Sequence, residues 1–150
     1  MVVRNVVALA IGVVALAGCS QEPERSVSDA WVRLAAVPGR PAAGYFTVQG
    51  GATDTTLISV ATDVAVRTEM HEMKMGASGG AMTMDAVQQV RVPATQAVRF
   101  APGGKHLMLF DMNPSVKPGS NLTFTFTFAD GVRIQQQASV IAAGDPAPKG

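Results

Sequence analysis

Short apolar stretches alternate with polar positions along most of this chain, and turn residues recur between them. Ala30 to Leu34 alternates well enough for a first strand, and Val37-Pro38-Gly39-Arg40-Pro41 follows as a loop. Ala43 to Val48 and Thr55 to Ala61 predict the second and third strands, separated by Gly50-Gly51. Val64 to Met75 predicts a fourth. Gly76 to Gly80 is a glycine-rich turn, and Ala81 to Val92 predicts a fifth, bent strand. Short strands at Val98–Phe100 and His106–Asp111 come next, with Pro102-Gly103-Gly104 between them. Leu122 to Phe128 alternates Thr with Phe, so Phe124, Phe126 and Phe128 face one way. Asp130-Gly131 is a hairpin signal, and Val132 to Ile141 predicts the last strand.

Strands recurring roughly every 8–12 residues, with no sustained helical period, predict an all-β sandwich or barrel. Trp31, Tyr45, Phe46, Leu57, Phe100 and the Phe124/Phe126/Phe128 row are its expected core. The first 18 residues stand apart. Arg4 is a short positive region, and Val6 to Ala17 is an apolar run too short for a membrane span. It ends in Leu16-Ala17-Gly18-Cys19, which resembles a bacterial lipoprotein signal. That resemblance implies cleavage before Cys19 and lipid on its sulfur. The division expected is 1–18 signal peptide, 19–27 lipidated tether, 28–142 β-barrel domain and 143–150 flexible tail. Ser20 behind the cysteine points to the outer membrane as the anchor's site.

Of the chain's 12 basic residues only Arg4 lies in the leader, so the mature part balances its basic residues against 11 acidic ones. No cationic footprint for nucleic acid exists. Electrostatic docking on anionic lipid is disfavoured for the same reason, leaving the lipid anchor as the membrane link.

The chemistry concentrates between Met70 and Met112. That window holds both histidines, His71 and His106, and every methionine except the initiator. Thioether sulfur with imidazole nitrogen suits Cu(I) rather than hard divalent cations. Residues two apart on a strand share a face, so His71 goes with Met73 and Met75, Met82 with Met84, and His106 with Met108. A hairpin centred between Ala77 and Ser78 would set His71 opposite Met84 and Met73 opposite Met82. Met73, Met75 and Met82 are open to two readings, further donors or flexible filler.

His71, Met84, His106 and Met108 resemble the metal motif of the PCuAC family of periplasmic copper chaperones, a His, then Met, then His-x-Met. The Met84-to-His106 spacing agrees with that family. His71 to Met84 is two residues longer, which reads as an insertion in the glycine-rich turn. Met82 would restore the first spacing and spoil the second. Ala30-Trp31-Val32-Arg33, Ala43-Gly44-Tyr45-Phe46, Gly103 to Leu109 and Lys117-Pro118-Gly119 extend the likeness over residues 27–142. The resemblance implies a cupredoxin-like Greek-key β-barrel. It implies Cu(I) held by His71, Met84, His106 and Met108, and delivery to cytochrome c oxidase assembly. The acceptor would be an oxidase subunit or another assembly chaperone.

Three other functions compete. A blue-copper carrier needs a Cys thiolate, and Cys19 is the only cysteine. A zinc hydrolase could draw on Glu72 or Asp111 beside the histidines, but Glu72 should point away from His71 on a regular strand. A metal-free or copper-buffering surface lipoprotein that binds a protein partner is the third. The reading carried forward is a non-enzymatic Cu(I) chaperone, lipid-anchored in the periplasm.

Overall fold

The computed structural model describes residues 22–76 and 79–149. The signal peptide and Cys19 lie outside the described residues. Ten strands make up the domain: β1 (Ser26–Arg33), β2 (Ala42–Gln49), β3 (Thr55–Ala61), β4 (Ala65–Met75), β5 (Met82–Ala86), β6 (Val90–Val92), β7 (Ala97–Phe100), β8 (Lys105–Met112), β9 (Asn121–Phe128) and β10 (Arg133–Ile141). They run in the order β5-β4-β8-β2-β1-β10-β9-β3-β6, with β7 paired to β2 beside β8. Neighbours are antiparallel except β1 and β10, which run parallel.

Curling of this sheet explains how one side can form a closed core. The strands next to its two ends meet where the Thr68 hydroxyl on β4 donates to the Val60 carbonyl on β3. Leu57, Phe46, Phe124, Phe126, Phe128, Leu107 and Leu109 fill the interior and are essentially inaccessible. Phe46 stacks on Phe100 and meets Phe126 edge-on, with centroids 4.2 and 4.8 Å apart. Gly44 is what lets β2 approach this cluster. A Cβ there would come within 3.2 Å of both Leu107 and Phe124.

The alternation read from the sequence survives well, and the third strand has the predicted bounds. Two expectations around the glycine-rich hairpin change. The bent fifth strand is two strands, β5 pairing β4 and β6 pairing β3. The Gly76–Gly80 hairpin gives each β4 residue a partner two positions further along than expected, pairing Met73 with Met84 and Met75 with Met82, while His71 faces Ala86. The cause lies in the turn: Gly79 takes φ 69° and its N–H donates to the Gly76 carbonyl, which leaves Ala81 outside the ladder. A shift of two preserves every face, because side chains alternate with a period of two.

Trp31 and Tyr45 are buried but stand outside the main cluster. They pair across β1 and β2 on the outer face, ring centroids 4.3 Å apart. A bulge between Ser28 and Trp31, with Asp29 at φ 52°, resets β1 there. Arg33 lies over the indole and donates to the Asp145 carbonyl, holding the C-terminal segment beside the pair.

Candidate metal centre

β4 and β8 are far apart in sequence and adjacent in the sheet. Their register sets His71 directly opposite His106, Glu69 opposite Met108, and Met70 opposite Leu107. Parity then sorts the side chains. Met70, Leu107 and Leu109 turn into the hydrocarbon core. His71, His106, Met108 and Glu69 turn to the outer face. Across β5 the same face carries Met84, one step along from Ala86, and opposite Met84 stands Met73.

The two imidazoles lie 5.9 Å apart between ring centroids, tilted by 31°. Each is tied by one nitrogen. His106 Nδ1 donates to the Gly104 carbonyl at 3.0 Å. His71 Nε2 donates to the Glu69 carboxylate at 3.0 Å. Glu69 is held in turn by Arg67, whose guanidinium stacks on Phe110 at 3.9 Å. In the neutral ring the untied nitrogen keeps a lone pair: Nε2 of His106 and Nδ1 of His71. His71 Nδ1 is buried and has no hydrogen-bond partner among the described residues. Burying an unsatisfied polar atom costs about 1–3 kcal/mol, so a lone pair kept this way is suited to an electrophile that the protein does not itself supply. Carboxylate and carbonyl partners on the second nitrogen are the usual outer shell of metal-ligating histidines, fixing tautomer and orientation.

The donor set therefore fits a soft monovalent ion. It comprises two neutral imidazoles with thioethers on the same face, His106 being 5% exposed and Met84 50% exposed. One side of the site is anchored in the fold and the other is open. Of the four residues singled out from the sequence, His71, His106 and Met108 stand together at the β4–β8 pair. Met84 joins them from β5 through its partner Met73, rather than from directly opposite His71.

The carboxylates considered for zinc lie elsewhere. Glu72 turns to the opposite side, bonded to Lys105 at 2.7 Å across the strands and within 3.4 Å of Lys74. The hydrogen bond from Lys105 holds its carboxyl below the usual glutamate range. Asp111 is exposed near the far end of β8. Among the described residues no three His, Cys, Asp or Glu side chains gather as a metal cluster. Sequence reasoning passed over Glu69 and Arg67. The signal for Glu69 was present, since it is two residues before His71 and must share its face. Its bond to the ring required the fold.

Comparison with known proteins identifies the fold and the family. The protein Lxx21020 of Leifsonia xyli subsp. xyli (strain CTCB07), named a lipoprotein, is 32% identical over 106 residues, which cover 70% of this chain. The match spans 62% of that relative's length. Among solved structures, the copper-bound PCuAC domain from PmoF2 superposes with a TM-score of 0.64 at 20% identity, covering 81% of this chain and 98% of that one. The apo PCuAC domain from PmoF1 gives 0.63 at 22% identity, covering 81% and 99%. The solution structure of CuI-DR1885 from Deinococcus radiodurans gives 0.59 at 23% identity, covering 85% and 83%. The fold is thus the cupredoxin-like one of PCuAC domains. The model of the LpqE-like lipoprotein family matches residues 26–140, nearly the whole ten-stranded domain, and the chain belongs to that family.

Proposed function

We propose that this protein is an extracytoplasmic Cu(I) carrier, without turnover of its own, which binds the ion as cargo through His71, Met84, His106 and Met108. Met73, opposite Met84, is a further donor within the same face. The observation that carries the reading is the histidine pair. Two imidazoles from distant parts of the chain face each other, each fixed at one nitrogen, and His71 Nδ1 is buried without a partner. The copper-bound state of the PmoF2 domain and the CuI state of DR1885 support copper as the cargo.

The chemistry of the donors favours loading and release. Neutral nitrogen and thioether ligands suit Cu(I), whereas Cu(II) prefers tetragonal nitrogen and oxygen ligation. Among the site residues there is no thiolate, so oxidation to a disulfide cannot disable the site outside the cytoplasm. His71 and His106 are held by Glu69 and Gly104, while the exposed thioether of Met84 is free to yield first to an incoming ligand. Transfer is then stepwise exchange of neutral ligands, with no change in the ion's charge. The acceptor we favour is a copper-receiving protein of cytochrome c oxidase assembly, reached from a lipid anchor on Cys19 in the periplasm, on the outer membrane.

Titration with Cu(I) under a competing chelator tests the site. Binding that weakens sharply in His106→Ala and Met108→Ala is the expected result. Equal binding in those variants would overturn the assignment, and zinc-dependent turnover would overturn the carrier reading. Gene deletion at low external copper should lower oxidase copper content; unchanged content would remove the delivery role.

A further inference from the structure

The outer-face donors do not stop at the histidines. β8 begins at Lys105, opposite Glu72, and the Met73 N–H donates to the Gly104 carbonyl just before it, so past that point only β4 and β5 continue, as a two-stranded projection with β5 at the sheet's edge. Met73–Met84 is the next cross-strand pair along that projection, and Met75–Met82 is the one after. All four point to the face of the imidazoles. Met75 and Met82 are 72% and 47% exposed, so neither serves the core. The opposite face of the same hairpin is polar, with Glu72, Lys74 and Thr83.

We infer that Met75 and Met82 form a second soft-metal site, taking Cu(I) or Ag(I) through two thioethers, at the outer end of the hairpin. Directly opposed side chains in an antiparallel pair have Cβ atoms roughly 4.5–5.5 Å apart. Flexible, unbranched methionine stems can then bring both sulfurs onto one ion. Thioether-only ligation selects monovalent soft ions over zinc or calcium. Successive same-face pairs lie roughly 7 Å apart along a strand. The Met75–Met82 pair is therefore two steps from the histidines and separate from them, with Met73–Met84 between. An isolated two-stranded hairpin is marginal in water, and an ion bridging its strands near the turn adds a cross-link where no third strand supports the pair. This site does not require His71 or His106 to bind anything, so it stands or falls independently of the carrier reading.

The test is a titration of the full chain with Ag(I), which resists oxidation, following the methionine methyl resonances. Two equivalents are expected. The Met108 methyl should move with the first, and those of Met75 and Met82 with the second. Replacing both outer residues, Met75→Leu with Met82→Leu, keeps side-chain volume and should abolish the second equivalent while leaving the first intact. His106→Ala should weaken the first and leave the second. Met75 and Met82 methyls that stay unmoved throughout the titration, or a stoichiometry that the double leucine variant leaves unchanged, would each overturn the site. Anaerobic Cu(I) titration should give the same stoichiometry, and Met75 and Met82 methyls that Cu(I) leaves unmoved would overturn it for copper.

Discussion

On one face of the β4–β8 pair, Met70, Leu107 and Leu109 are buried in hydrocarbon. On the other, His71, His106 and Met108 share the outer face, with His71 bonded to Glu69 and His106 to the Gly104 carbonyl. The same two strands supply both faces, and methionine occurs on each. Met70 is a core residue packed against the interior cluster, while Met84 is half exposed beside the imidazoles. Side-chain type therefore does not define a donor here. What defines it is parity on the strand and what lies across the ladder. The inner face is filled and self-sufficient. The outer face retains a lone pair on His71 Nδ1 that nothing in the described fold satisfies.

Substitutions should separate the two faces cleanly. The largest effect on the inner face is expected from Leu107→Ala, which removes a fully buried side chain and should cost about 2–5 kcal/mol in denaturant unfolding. The folded fraction should still bind Cu(I) with native stoichiometry. Failure to bind would mean that the site is not a surface feature of a preformed sheet. His106→Ala should do the reverse. Its copper affinity should fall by more than the roughly 10–100-fold that loss of an outer-shell partner costs, with the ring's direct ligand role lost.

Glu69→Ala comes next. It removes the acceptor for His71 Nε2–H, and copper affinity should drop roughly 10–100-fold. Nitrogen-15 shifts of the metal-free protein should show His71 losing its fixed Nε2–H tautomer. An unchanged tautomer would sever Glu69 from the site. Met70→Leu and Met84→Leu make a matched pair. The first should change stability by less than about 1.5 kcal/mol and leave copper binding alone. The second should weaken binding and leave stability alone. If both lowered affinity alike, the two-face distinction would fail.

The smallest effect concerns the Glu72–Lys105 bond that ties β4 to β8 on the side away from the histidines. The folded carboxyl titrates below its ordinary range, chiefly because Lys105 donates to it. Folding thus favours the ionised form. The contribution is present above the ordinary glutamate range and is lost as pH falls through the depressed value. Glu72→Gln should lower neutral-pH stability by roughly 0.2–1 kcal/mol, with the difference from the parent vanishing in acid. A gap that persists in acid would mean packing, not charge, is responsible.

The sequence by itself determined the strands' faces. Alternation is local, so the inward row of Phe124, Phe126 and Phe128, and the grouping of His106 with Met108, could be read without any partner strand. The density of thioether and imidazole donors between Met70 and Met112 was equally plain, as was the absence of any cysteine beyond Cys19. Tertiary structure decided who meets whom. Whether Met84 faces His71 or Met73 depended on where a glycine turn closes, and that is set by backbone conformation at Gly79 rather than by any hydrophobic pattern. The splitting of Ala81–Val92 into β5 and β6 depended on two different partner strands competing for one segment. Trp31 and Tyr45 look like core residues in sequence, yet a bulge and the curl of the sheet leave them on the outer face. The His71–His106 pairing itself spans β5, β6 and β7, and only the long-range register of β4 against β8 could bring those rings together. Periodicity fixes direction because it acts between neighbours along the chain; partnership needs the closure of the whole sheet, since that is where loop geometry and core packing select one register from many.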